Sequence, residues 1–193
     1  QVSGIKDLYL NADTRLIEGM DTSIVYSIRT DYGRFAAKFV NVHYDTKNQE
    51  SGGDAQRLSE AGKPGGLLEN IAPVRGVDNL LGLNGNVEDK YTMNLSWRKG
   101  PYEVLVSGTQ WGEFFESGHT ETIDGSREMW VVDSMTMINV TLGYKFKNDL
   151  RVRLQVKNLE DERAPLADES QFFWGDIHTD FGRNYSLELY KKF

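Results

Sequence analysis

From Trp130 to Phe146 the even positions read Trp130, Val132, Ser134, Thr136, Ile138, Val140, Leu142, Tyr144 and Phe146, with Asp133, Asn139, Thr141, Gly143 and Lys145 between them. An apolar period of two places one set of side chains on each face of an extended strand; a helix cannot satisfy it. Leu150, Val152, Leu154 and Val156 then alternate with Arg151, Arg153, Gln155 and Lys157, and the polar triplet Lys147-Asn148-Asp149 separates the two runs. That arrangement predicts a tight β-hairpin.

The same pattern recurs upstream. Tyr91, Met93, Leu95 and Trp97 alternate with Thr92, Asn94, Ser96 and Arg98. A Lys99-Gly100-Pro101 turn leads to Tyr102, Val104 and Val106. Met20, Ile24, Tyr26 and Ile28 precede a turn at Thr30-Asp31-Tyr32-Gly33, and the next strand runs from Arg34 to about Lys47. In that strand Phe35, Ala37 and Phe39 share one parity but Val40, Val42 and Tyr44 share the other, so a β-bulge near Phe39 is expected. Tyr185, Leu187 and Leu189 mark the last strand. Seven strands of about 10 to 17 residues result, with an eighth over 5–13 as an option. Connections alternate between short turns, near 31, 99 and 148, and long loops at roughly 48–88, 116–129 and 159–180.

The medium these strands face is the next question. Mean hydropathy is -0.52, and no apolar run approaches the ~18 residues of a membrane-crossing helix. A β-barrel escapes both tests, because only alternate residues of each strand meet lipid. Tilted transmembrane strands need ~9–11 residues, and such barrels join them by short turns at one end and long loops at the other. Tyr91, Trp97, Tyr102, Trp130, Tyr144, Phe146, Tyr190 and Phe193 collect near strand ends, as the aromatic girdles of a membrane barrel do. The expected class is therefore all-β, an antiparallel transmembrane β-barrel. A soluble carbohydrate-binding β-sandwich is the competing architecture.

Net charge is -7, with no basic stripe, so nucleic acid is not an expected partner. There is no cysteine, which removes disulfide frameworks and thiol chemistry. Gln1 to Leu10 show neither a basic start nor an apolar core, so a signal peptide is expected upstream, in a longer chain.

The terminal stretch Met137–Phe193 resembles the C-terminal end of TonB-dependent outer-membrane receptors. The likeness rests on Val156-Lys157-Asn158-Leu159-Glu160-Asp161, closing the penultimate strand, and on Phe181-Gly182-Arg183-Asn184-Tyr185-Ser186-Leu187-Glu188-Leu189-Tyr190, running on to a terminal Phe193. Glu160 stands where the family commonly has an aromatic. Glu18-Gly19-Met20-Asp21 with Asp31-Tyr32-Gly33-Arg34-Phe35 looks like an internal hairpin of the same family. The resemblance implies that residues 1–193 are the last strands of a barrel of about 22, with the plug domain and earlier strands outside the segment. It also implies an outer-membrane location, TonB-energised uptake of a siderophore, haem, vitamin or oligosaccharide, and coupling to the TonB complex through that plug. Tyr185, Leu187, Leu189 and Phe193 would then be the signal read by the barrel-assembly machinery, with Lys191 snorkelling at the rim. A small self-standing outer-membrane barrel with a structural or adhesive role is the alternative.

No catalytic motif is present. His43, His119 and His178 lie far apart, and no Gly-x-Ser-x-Gly elbow exists. His119, Glu116 and Glu121 make a weak metal set, better explained as a solvated loop, and no metal or cofactor is expected. Acidic residues in 159–180 read as solvated rather than calcium-binding. Arg151, Arg153 and Lys157 share a face with Glu188 and Lys192, where cross-strand pairs stabilise the wall or steer an anionic chelate. Trp111, Phe114, Phe115, Phe172, Phe173 and Trp174 are the candidate substrate contacts, with packing between loops as their competing role.

Overall fold

The structure, a computed structural model, describes residues 14–69, 78–123, 126–168 and 171–191. The anticipated strand over 5–13 lies outside these residues, as do Lys192, Phe193 and the side chains of His119 and Glu121. The chain divides into two compact units: residues up to Glu18 with Asp45–Leu81, and Gly19–Tyr44 with Gly82 onward.

Among the described residues ten strands form: β1 (Arg15–Thr30), β2 (Gly33–Gln49), β3 (Asp78–Asn79), β4 (Asp89–Lys99), β5 (Tyr102–Trp111), β6 (Phe114–Ile123), β7 (Ser126–Val132), β8 (Met135–Lys145), β9 (Leu150–Lys157) and β10 (Asn184–Lys191). The seven long strands foreseen from the alternation lie in one sheet in the order β1-β2-β4-β5-β8-β9-β10. Every pairing from β2 to β10 is antiparallel. The sheet is open, with β1 and β10 as its edges. The protein is thus all-β, a meander whose consecutive long strands are neighbours.

The short connections carry ordinary turn chemistry. Gly33 has φ +122°, and the Thr30 hydroxyl accepts from the Tyr32 amide at 3.1 Å. Gly100 takes φ +55° between β4 and β5. Between β8 and β9, Asp149 takes φ 58° and pairs with Lys145 at 3.2 Å.

Register assigns the faces. One rung runs Phe35, Trp97, Val104, Leu142, Leu154, Leu187 across six strands. The next polar rung runs Arg34, Arg98, Glu103, Gly143, Arg153, Glu188. These apolar and polar rungs therefore lie on opposite faces of the sheet.

Three expectations need correction. The bulge near Phe39 does not form: β2 pairs with β4 in unbroken register from Arg34–Arg98 to His43–Asp89. Val40, Val42 and Tyr44 accordingly join the polar face, and the apolar band of β2 ends at Phe39. The loop expected over 116–129 is a two-stranded hairpin, β6 with β7, slipped in register between Glu116 and Thr120. Trp130 to Val132 belong to β7, and the strand predicted to start there breaks at Asp133-Ser134 and resumes at Met135. Burial explains the break, because Val132 is fully buried with Phe114 in a separate cluster. The long connection over 48–88 contains structure too.

In the first unit, helix α1 (Gly53–Ala61) buries Ala55 and carries an Asp54–Arg57 ion pair at 3.1 Å. The two residues of β3 pair with Asn48 and Gln49 of β2. Gln49 is buried, and its side-chain oxygen accepts from Arg15 Nε at 2.9 Å.

Candidate functional site

Two groups of chemistry-bearing residues stand out in the second unit. The first lies on the polar face near the short turns. Arg98 Nη2 is 2.5 Å from Glu103 Oε1, and Arg153 Nη2 is 3.2 Å from Glu103 Oε2. Arg153 Nη1 continues to Glu188 Oε2 at 3.8 Å. Glu103 and Arg153 stand on β5 and β9, with β8 between them. Position 143 on β8 is glycine, and a Cβ there would come within 3.3 Å of the Glu103 carboxylate. The missing side chain opens the path by which the arginine reaches over a whole strand. A recess of about 420 Å³ adjoins it, lined by Glu103, Leu105, Thr141, Arg153, Gln155, Ser186 and Glu188.

Of the lumen charges expected from the sequence, Arg151, Arg153, Lys157 and Glu188 all lie on this face, and the structure joins Arg153 to Glu188. Arg151 lines a second recess, with Lys145, Asp149, Arg153, Glu188 and Tyr190. Sequence reasoning missed Arg98 and Glu103. Their parity was visible, as were the alternating runs on either side of the Lys99-Gly100-Pro101 turn, but the reach across Gly143 was not.

The second group packs the bases of the long connections. Phe114 is 0% exposed and sits with Val87, Val132 and Ala167, flanked by Trp130, Trp174 and Ile177. Trp174 meets Phe114 edge-on at 5.4 Å between ring centres. Gly85 (φ +80°) lies against the Trp174 indole so closely that a Cβ would be 2.3 Å from its Nε1. Hydrogen bonds fasten this cluster: Trp130 Nε1 donates to the Leu166 carbonyl at 3.1 Å, and the Asp168 amide donates to Glu116 at 2.8 Å. Ser117 and Asn84 exchange two, at 2.8 and 3.0 Å.

His178 is 4% exposed, ringed by Phe114 at 6.1 Å and Trp111 at 6.5 Å. Neither ring nitrogen has a hydrogen-bond partner among the described residues, and burial pushes its pKa down. Two residues on, Asp180 accepts from Arg163 Nε at 2.7 Å, from Arg163 Nη2, and from the Ala164 amide at 3.0 Å. The Arg163 guanidinium, helped by that amide, holds its pKa down at about 2.

The six aromatic candidates thus separate by environment. Phe114 is core, Trp174 packs on it and Trp111 packs on His178, whereas Phe115 is partly exposed and Phe172 is 75% exposed at φ 63°. Phe173 is half-buried. Glu116 is engaged by the Asp168 amide.

The residues that carried the family resemblance form one junction. Buried Asn158 (φ 53°) accepts from the Glu162 amide at 2.9 Å and donates to its carbonyl at 2.8 Å. Asp161 Oδ1 then accepts the Arg183 amide at 2.6 Å, beside Gly182 at φ +66°. A comparison of the chain with protein-family models finds no match, and a comparison with curated proteins finds none either.

Proposed function

We propose that this chain forms wall strands and outer loops of an outer-membrane β-barrel of the TonB-dependent receptor type, serving energised uptake of a scarce nutrient. One observation carries the reading. The rung Leu142, Leu154, Leu187 lies on the apolar face and is 47%, 41% and 65% exposed. A continuous apolar surface of this extent demands lipid or a partner. Its borders suit lipid. On β4, Asp89 and Lys99 bracket Tyr91 to Trp97 on this face. Tyr91 to Trp97 is six residue steps, ~20 Å along the strand or ~15 Å of height at ~40° tilt. The charged brackets Asp89 and Lys99 are ~25 Å apart in height, a spacing that matches the borders of the ~25 Å apolar band of an outer-membrane barrel.

Aromatics mark both borders. Tyr102 and Tyr144 meet at 5.1 Å, and Tyr144 and Phe146 at 4.6 Å, beside the short turns; Phe39 and Tyr91 stack at 6.2 Å toward the other end. A soluble sandwich would bury the Leu142 rung under a second layer, and its exposure counts against that alternative. No helix among the described residues is long and apolar enough to cross a membrane.

In this reading the open sheet is part of a larger closed barrel. The Arg98–Glu103–Arg153–Glu188 network lines the interior, the short turns face the periplasm, and Phe172 with its neighbours meets substrate outside. A plug contributed by the parent chain would contact the TonB complex.

Outer-membrane fractionation and gel migration before and after boiling test the barrel. The folded full chain is expected in the detergent-extracted fraction as a heat-modifiable band; an unshifted, detergent-independent protein would sink the reading. Uptake of labelled chelates, haem, cobalamin and oligosaccharides with and without a proton uncoupler separates a receptor from a self-standing barrel.

A further inference from the structure

We infer that His43, Glu88 and Asp89 form a binding site for a divalent first-row transition ion, with Zn²⁺ the best fit. His43 and Asp89 are direct cross-strand partners at the ends of the β2–β4 pairing. The Tyr44 amide donates to the Glu88 carbonyl at 2.9 Å, which makes the adjacent 43/89 rung a non-hydrogen-bonded pair, the kind whose side chains approach most closely. His43 Nδ1 and Asp89 Oδ1 are 3.0 Å apart, and both side chains keep about 30% of their surface open, at 29% and 30%.

Glu88 completes the set because β4 begins only at Asp89. Within a strand its side chain would point to the opposite face. At the bend before the strand it turns to the same side, and one ligand atom from each residue lies within 4.8 Å of the others. Ligand atoms of a tetrahedral ion lie ~3.4 Å apart at bonds of ~2.1 Å, so side-chain rotations that move these atoms by about an ångström close the site.

The donor set selects the ion. One imidazole and two carboxylates suit Zn²⁺ and its neighbours, whereas Mg²⁺ and Ca²⁺ prefer all-oxygen shells. The site continues the apolar face beyond Tyr91 and depends only on local strand geometry, so it stands or falls separately from the membrane reading.

Calorimetric titration of the purified, chelator-stripped full chain with ZnCl₂, and separately with MgCl₂, tests the site. One saturable Zn²⁺ event is expected, weakened ~10-fold or more by His43→Gln and by Asp89→Asn, as loss of one ligand of three requires. His119→Gln should leave it unchanged, and MgCl₂ should not compete. Wild-type protection of His43 from diethyl pyrocarbonate by Zn²⁺, read by mass spectrometry, gives the same answer without any variant. No saturable binding, binding indifferent to both substitutions, binding lost in His119→Gln alone, or unprotected His43 would each overturn the assignment.

Discussion

The Arg153 guanidinium lies 3.2 Å from the Glu103 carboxylate although a complete strand separates the two residues, and Gly143 is the gap through which they meet. Neighbouring strands are ~4.8 Å apart, so a salt bridge of this span ties three strands where an ordinary cross-strand pair ties two. A double-mutant cycle on Glu103→Gln and Arg153→Gln should return a coupling of about 0.5–1 kcal/mol, the range for partly exposed pairs. Gly143→Val should abolish that coupling with both charges in place. Denaturant unfolding of the four proteins and the glycine variant measures it.

The apolar rung makes a second prediction. Under the barrel reading, Leu154→Lys should destabilise the folded chain in bilayers by about 1–4 kcal/mol, the cost of a cation within the apolar band. Gln155→Lys, one residue away on the opposite face, should change stability by less than ~0.5 kcal/mol. Equal effects from the two would contradict the lipid-facing assignment.

Acid should loosen the 158–183 connection in two steps. Burial depresses the His178 pKa, so its neutral form favours the folded loop; that contribution is complete above the ordinary value of ~6.5 and declines as pH falls below it. Asp180, held at about 2 by Arg163, stabilises above ~4 and loses its contribution as pH falls from there toward 2. Limited proteolysis across pH 3–8 should show earlier cleavage at acid pH, with the first step absent in His178→Phe and the second in Asp180→Asn.

Gly85→Ala should disturb the aromatic cluster, since the backbone is in the left-handed region and the added methyl meets the Trp174 ring. A loss of about 1–3 kcal/mol is expected, visible as a weakened near-ultraviolet tryptophan signal. Phe114→Ala should cost about 3–5 kcal/mol by opening a cavity.

Phe172→Ala should behave differently. The ring is exposed, so stability should move by less than ~0.5 kcal/mol. Under the receptor reading, binding of the transported compound should weaken several-fold, and an unchanged affinity would remove Phe172 from the contact surface.

The seven long strands were readable because period-two alternation is a local signal, and register then follows from short turns such as Lys147-Asn148-Asp149. β6 and β7 were not readable. Glu116, Ser117, Gly118, His119 and Thr120 carry no apolar alternation, and the β6–β7 register slips between Glu116 and Thr120. The bulge expected near Phe39 failed for a related reason. Val40 and Val42 look like a shift of face, yet unbroken pairing with Thr92 and Lys90 keeps them on the polar side. Of the charged network, Arg153 and Glu188 were visible as facing parities, but Arg98 and Glu103 needed the three-dimensional gap at Gly143. The terminal motif gains a physical meaning: Asn158 and Asp161 fold the chain back on itself, and Gly182 with Arg183 receives the return.

Along β10 every residue from Asn184 to Lys191 is matched to β9, while its other side, like one side of β1, has no strand in this sheet among the described residues. Such margins expose rows of amides and carbonyls at the spacing a further chain accepts. Preparations of this chain kept apart from lipid or detergent should therefore stack margin to margin into thioflavin-binding fibrils, and short peptides copying β1 or β10 should block that growth.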